Sequence, residues 1–441
     1  MPRNWGGPSY PNAFVNFAHR PYNGRESAKS HVIDKEPDAG AARPVKTLKI
    51  VLNLGLAALL FWFLARYEQK MRTAAASRDS MSYWAAGKLL VHRQNPYSVA
   101  DVQRLESGQG YAGKRPLMMR TPPWSVWMTL PEGVLNSYWA WVMWEALLLA
   151  SLVTSMRISW RLYGDGPRPP KVFVLTGYIF APVAACLAAG QVGMILLLGI
   201  TAFFLLEKDH PFWAGAALLL PMAKPHIFMP IWLVLALWVL REKRWALLGG
   251  AAAAFLMANC IGLAFDPGIF GHYREMLHQQ AIQNEFIPSL SGVIRALFFR
   301  RFFWVQFVPM GLGLLWSLWF YWKNRSMWNW PERGLTLLIA CVLATPYSWM
   351  TDEVVVVPAI LQGVLWLHRA KLGWGSRGVI LIFVLLDSLL LLMLAARIPL
   401  THASYFWSSV VWCCWYFYAK SFARPASEQQ QSAPARAYTV G

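Results

Sequence analysis

Cysteine is scarce in this sequence. The five residues are Cys186, Cys260, Cys341, Cys413 and Cys414, mostly inside apolar runs and without the spacing of a metal site or a disulfide framework, so they read as small buried side chains. Acids are scarce too: 22 Asp and Glu stand against 41 Lys and Arg, a formal net charge of +19. There is no glycine-rich phosphate cradle and no convincing metal-ligand cluster, which argues against a bound nucleotide and against an obligatory metal or other cofactor. No signal peptide is recognisable, because the first apolar run starts only near Thr47, after a basic tail rich in Pro, Gly and Asn. An internal repeat of the kind that marks many transporters is not evident either.

What the sequence does have is hydrophobicity, at 56% of residues, with 25 Trp, 24 Phe and 16 Tyr. The apolar residues fall in blocks of about 15 to 21, near the length that crosses a bilayer, and amphipathic rings favour the level where hydrocarbon meets headgroups. The composition therefore predicts an all-α polytopic membrane protein. The excess of Lys and Arg is spread through short connectors rather than gathered on one soluble face, so membrane topology and anionic lipid explain it better than nucleic acid does.

Apolar length and flanking charge predict about twelve transmembrane or partly spanning helices, near residues 48–67, 138–156, 172–189, 191–206, 212–223, 226–240, 246–265, 303–322, 334–345, 354–367, 378–395 and 405–420. Residues 1–46 and 421–441 read as disordered cytoplasmic tails around a membrane domain at 47–420. Arg157, Arg161, Arg168 and Lys171, then Arg241, Lys243 and Arg244, then Lys323, Arg325 and Arg333, then His368, Arg369 and Lys371 fall on one side of a twelve-span chain. By the positive-inside rule that side and both termini are cytoplasmic. The long connectors 68–137 and 266–302 are then outer loops. Arg300 and Arg301 violate the pattern and are expected on a helix lying in the interface.

The first outer loop opens with "SRDSMSYWAAGKLLVHRQNPYS", residues 77–98, unusually polar for this chain. Tyr83, Ala86, Leu89 and Leu90 recur at helical spacing, which predicts an amphipathic helix lying on the membrane with Asp79 at its entrance. From these residues alone Asp79 is either the cap of that helix or a catalytic carboxylate. Asn95-Pro96-Tyr97 reads as the turn that ends it. Glu145 and Asp387 stand inside apolar runs, where acids mark function or pairing; Asp387 is expected to pair across helices, and Glu145 to reach water at an outer helix end.

Asp79, Tyr83-Trp84-Ala85-Ala86, Leu89-Leu90 and Asn95-Pro96-Tyr97 together resemble the first outer-loop signature of glycosyltransferase family 87, polyprenyl-phosphate-mannose-dependent mannosyltransferases of the GT-C superfamily. Further pieces follow in the family's order: Arg120-Thr121-Pro122-Pro123, with Thr121 where Tyr is usual; Gly190-Gln191; Lys224-Pro225; Ser289, Gly292 and Arg295 in a Ser-x-x-Gly-x-x-Arg pattern; and Thr345-Pro346-Tyr347-Ser348-Trp349. The resemblance covers about residues 79 to 358. Many members follow the Ser-Trp pair with a histidine, whereas this chain reads Met350-Thr351-Asp352-Glu353, which puts mannose specificity in question.

The resemblance implies a GT-C fold in a bacterial inner membrane, an active site facing the periplasm, and transfer of a sugar from a polyprenyl-phosphate donor to a lipid or glycan acceptor, usually with inversion. Asp79 matches the catalytic acid. Lys224, His226, Arg120 and Arg295 are the candidates for the donor phosphate, although Lys224 at a helix end also reads as a snorkelling side chain and His226 as a structural one. Gln191, Trp349 and Asp352 are candidates for the acceptor or sugar, with Asp352 or Glu353 alternatively a rim carboxylate facing water. The competing class is a lipid or polyprenyl-phosphate transporter or flippase, which favours polar residues at mid-membrane; here they gather on one side.

Overall fold

The computed structural model describes residues 42–282, 285–370 and 374–423. Most of both expected tails, and Lys371, lie outside them. Among the described residues the secondary structure is all helical, without strands. The first helix, α1 (Ala42–Ala76), begins inside the stretch read as tail. A division between two compact units falls within it, between Ala65 and Arg66. Before the division Leu54, Leu56, Leu59 and Trp62 are exposed, as suits a helix solvated by lipid.

The unit that begins at Arg66 contains the rest. The connector that follows α1 carries α2 (Ser80–Val91), α3 (Val99–Gly108) and the short α4 (Leu130–Gly133). Then come α5 (Ser137–Tyr163), α6 (Lys171–Ile179), α7 (Ala181–Ala189), α8 (Gly193–Leu206) and α9 (Pro211–Ala217). After 3-10 turns around Lys224 come α10 (Met229–Glu242), α11 (Trp245–Phe265), α12 (Ile269–Gln279) and α13 (Leu290–Phe298). The chain closes with α14 (Val308–Asn324), α15 (Trp330–Ala344), α16 (Val357–Arg369), α17 (Trp374–Ala395) and α18 (Ser408–Lys420).

The apolar blocks of the sequence are thus helical, and among the described residues six helices are long and apolar enough to span, or seven with the bent pair α6–α7. The protein is a polytopic membrane protein in which some apolar helices, Gly193–Leu206 and Pro211–Ala223 among them, are too short to cross a bilayer by themselves. Short helices leave main-chain ends without partners, and at membrane depth protein must supply them. The α6–α7 break shows how. Pro182, in the first turn of α7, interrupts the helix and the pair bends by 42°. Asp387 of α17 accepts the hydrogen bond of the buried Ala181 amide at 2.8 Å. Its cross-helix partner is therefore a main-chain group.

The segment Met350–Arg369 is the most enclosed of the candidate spans, 94% buried against 22% for Trp374–Ala395. It packs against α7 and α8, so the residues at its start sit at the centre of the protein rather than at the lipid boundary.

Two expectations for the outer loop need correction. The helix at 80–91 forms, but it does not lie on a membrane surface: Ser80 to Gly87, Leu89 and Leu90 are all buried. The cause is covering by α3, α4 and α5, with Gly87 and Gly133 bringing the main chains of α2 and α4 into direct contact and the Trp84 indole donating to the Leu135 carbonyl at 3.1 Å. Arg300 and Arg301 lie just past the end of α13, exposed, in the connection to the next helix. The turn reading of Asn95-Pro96-Tyr97 agrees with the structure. The Tyr97 amide donates to Asn95 Oδ1 at 2.8 Å, and the Tyr97 hydroxyl donates to the Thr121 carbonyl at 2.8 Å.

Candidate active site

Asp79 occupies the position before α2, yet its carboxylate makes no capping bond. Its amide donates to the Ala189 carbonyl at 2.9 Å and its carbonyl accepts from Ser82 Oγ at 2.7 Å. The carboxylate is turned the other way, where Oδ2 accepts from Gln191 Nε2 at 2.5 Å. Burial pushes the Asp79 carboxyl above its ordinary value; the Gln191 hydrogen bond and the Lys224 charge pull the other way, and Asp352 adds to the rise. A carboxylate raised in this manner is moved toward the range where it accepts a proton near neutral pH.

The Gly190-Gln191 turn is built to meet Asp79. Gly190 ends α7 in the left-handed conformation, φ 71°, and its amide returns to the Cys186 carbonyl at 2.9 Å. This is the helix ending that glycine favours. Ser80 packs directly on Gly190 and leaves no room for a side chain. The Trp144 indole donates to the Gly190 carbonyl at 2.8 Å. Arg78, immediately before Asp79, donates to Glu145 at 2.9 Å and to the Leu187 carbonyl at 3.2 Å. Glu145 therefore serves as an ion-pair partner that clamps α2 to α5 and α7.

From Gln191 the polar chain continues. Its Oε1 accepts from the Tyr83 hydroxyl at 3.2 Å and from Lys224 Nζ at 3.1 Å. Lys224 Nζ also donates to Asp352 Oδ1 at 2.7 Å. Asp352 is fully buried, and its second oxygen accepts from the Trp349 amide at 3.2 Å. Pro221 and Pro225 flank Lys224 in two 3-10 turns, which fix the main chain so that the side chain points inward. Asp79, Gln191, Lys224 and Asp352 thus form one connected network. The water-facing reading of Asp352 and Glu353 is corrected: Glu353 is buried as well, accepting from Ser408 Oγ at 2.6 Å. Trp349 meets the network through its main chain.

Arg120 and Arg295 meet elsewhere, at Glu285. Arg120 grips both carboxylate oxygens, with Nη1 to Oε2 at 2.9 Å. Arg295 Nη2 donates to the Glu285 carbonyl at 3.4 Å while its guanidinium lies 5.2 Å from the Phe303 ring centre. Ser289 caps α13 by accepting from the Gly292 amide at 3.1 Å, and Arg295 lies in the last turn of the same helix. Tyr347 links the two groups. Its ring packs edge-on to His226 at 5.8 Å and against Phe303 at 6.4 Å; burial pushes its hydroxyl up to about 12 although the nearby Arg295 charge opposes this. His226 itself makes no hydrogen bond to Asp79 or Gln191 among those described; its ring faces Tyr347 and its carbonyl accepts from Thr345 Oγ1 at 3.4 Å.

Sequence reasoning missed Arg78, Glu285 and the placement of Tyr83. Tyr83 had a signal, since it lies one turn after Asp79 and shares its face of the helix. Glu285 had none, because its partner Arg120 is 165 positions away.

A family model described as glycosyltransferase family 87 matches residues 121–346, just over half of the chain. The match includes Gln191, Lys224, His226 and Arg295; Asp79 and Arg120 precede it and Asp352 follows. Comparison with curated proteins and comparison with solved structures each gave no match.

Proposed function

From the premise that this chain belongs to glycosyltransferase family 87, and so is a membrane glycosyltransferase, we propose that it moves a mannose-like hexose from a polyprenyl-phosphate donor to a lipid or glycan acceptor. The reaction takes place at the periplasmic face of a bacterial inner membrane, on a GT-C scaffold with cytoplasmic termini. The observation that carries this reading is the orientation of Asp79: a carboxylate at a helix start that leaves the helix uncapped and faces Gln191 and Lys224 instead.

An acceptor hydroxyl is a poor nucleophile. As its oxygen attacks the anomeric carbon, Asp79 takes the proton; the bond from that carbon to the phosphate oxygen breaks, and its electron pair leaves with the polyprenyl phosphate. The charge gained by the phosphate is met by preorganised cations. Lys224 acts on Asp79 through its charge, His226 packs on Tyr347, and Arg295 and Arg120 meet at Glu285. One carboxylate is enough for direct displacement with inversion, whereas retention needs a second as nucleophile, by analogy with glycoside hydrolysis. Asp352 is a poor candidate for that, because Lys224 and the Trp349 amide occupy its two oxygens.

The test is transfer by the purified protein in nanodiscs. A panel of polyprenyl-phosphate sugars, the mannose compound included, is offered with lipid and glycan acceptors, and the product's anomeric configuration is read by NMR. Transfer with inversion is expected. Retention contradicts the single-base mechanism. Movement of donor between leaflets without any transfer favours the flippase reading.

A further inference from the structure

Arg120 and Arg295 come from distant parts of the chain, and both meet one residue, Glu285. Arg120 Nη1 donates to Glu285 Oε2 at 2.9 Å and its Nη2 donates to Oε1, a two-point grip on the carboxylate. Arg295 Nη2 donates to the carbonyl of the same residue at 3.4 Å. A planar guanidinium offers the same paired donors to a carboxylate and to a phosphate. The Glu285 carboxylate therefore stands where an anionic ligand of Arg120 would stand.

The three side chains are not held equally. The Tyr273 hydroxyl donates to the Arg120 carbonyl at 3.3 Å, and the Tyr97 hydroxyl fixes the next carbonyl, that of Thr121, at 2.8 Å. The Arg295 guanidinium lies 5.2 Å from the centre of the Phe303 ring, which packs in turn against Tyr347. Among the hydrogen bonds described, those of the Glu285 carboxylate go to Arg120 alone. Glu285 is thus the member that can turn away while both arginines stay in place.

Exposure decides how readily it does so. The side chains of Arg120 and Glu285 are 27% and 34% exposed, against 12% and 0% for Lys224 and Asp352. An ion pair open to water is worth little net, because either partner regains hydration when the pair parts. A buried pair has no such return. The Lys224 pair is therefore fixed, whereas an arriving anion can displace Glu285 from Arg120.

We propose that Glu285 is a built-in competitor of the donor phosphate. Its carboxylate holds Arg120 when no donor is bound, yields it to the phosphate, and takes it back as polyprenyl phosphate leaves. This rests on the assignment of Arg120 to the donor phosphate. When the bond to the anomeric carbon breaks, the phosphate gains charge and its hold on the arginines strengthens; the returning carboxylate opposes that hold and keeps the product from being trapped.

The test is the affinity of the full-length protein in detergent for geranylgeranyl phosphate, measured at low ionic strength by isothermal titration. Wild type is compared with Glu285→Gln, Glu285→Ala and Arg120→Gln, and with Glu275→Gln, which removes an acid of α12 whose carboxylate accepts from Gln279 rather than from an arginine. Both Glu285 variants are expected to bind about two- to fivefold tighter than wild type, Glu275→Gln to match wild type, and Arg120→Gln to bind more weakly, with melting temperatures matched. Unchanged or weaker binding in the Glu285 variants, with Arg120→Gln impaired, overturns the competitor and makes Glu285 a support for Arg120. An equal gain in Glu275→Gln overturns it too, as an effect of net charge. If Arg120→Gln binds as well as wild type, the phosphate assignment itself has failed and the proposal falls with it.

Discussion

Lys224 and Asp352 form an ion pair whose side chains are 12% and 0% exposed. At such burial each charge depends on the other: removing one partner of a buried pair costs roughly 3–5 kcal/mol, whereas replacing both with apolar residues is often tolerated. Lys224→Met or Asp352→Asn alone is therefore expected to lower the melting temperature clearly, and Lys224→Met with Asp352→Leu to recover much of the loss while leaving transfer abolished. Recovery of both stability and transfer contradicts a catalytic role for the pair. Two other acids, Glu106 at the end of α3 and Glu132 in α4, are fully buried. Burial raises Glu106 from its ordinary value of 4.5 to about 7, against the Leu117 amide that lowers it and with Asp79 adding to the rise; burial also holds Glu132 well above its ordinary value. The sign follows from proton count. Between about pH 4.5 and 7 the folded protein holds a proton on Glu106 that the unfolded chain has released, so this contribution to stability is complete below 4.5 and is lost as pH rises through 7. Melting temperatures measured across that window are expected to fall less steeply in Glu106→Gln than in wild type.

At the scale of elements, the site is made of helix ends. Asp79 precedes α2, Gln191 follows α7, Lys224 lies between 3-10 turns, and Asp352 is in the first turn of the segment that leads into α16. Partial helices expose such ends inside the protein, where their side chains meet in place of lipid. Gly190 is the position where this is least forgiving. Its left-handed φ costs another residue about 1–2 kcal/mol, and its contact with Ser80 leaves no space for a methyl group. Gly190→Ala is expected to displace Gln191 from Asp79 and to reduce transfer by more than its modest loss of melting temperature explains. Unchanged transfer in that variant separates the turn from function.

For the molecule as a whole, the four network residues come from distant segments. Asp79 and Gln191 are separated by α5 and the bent pair α6–α7; Gln191 and Lys224 by α8 and the short helical run through α9; Lys224 and Asp352 by segments that include α10, α11, α14 and α15. The helical blocks themselves were legible in the sequence, because apolar block length and the polar junctions between blocks are local properties. The surroundings of α2 were not: Tyr83, Ala86, Leu89 and Leu90 gave its helical period, but the covering by α3, α4 and α5 depends on contacts no local pattern records. Nor was the gathering of Arg120 and Arg295 at Glu285 rather than at Lys224. The proposed orientation predicts that a cysteine at Ser107, introduced after native cysteines are replaced, reacts with an impermeant maleimide from the periplasmic side. One at Ser326, between α14 and α15, is expected to be protected from that side; the reverse pattern contradicts the orientation.

The central claim is that the Asp79 carboxylate takes the acceptor's proton. Its most direct test is the transfer rate of Asp79→Asn in nanodiscs, with donor binding measured on the same folded preparation. General-base catalysis is worth roughly 10²- to 10⁴-fold, so the account predicts a loss of that order in kcat with donor affinity little changed. Transfer within a few-fold of wild type contradicts it.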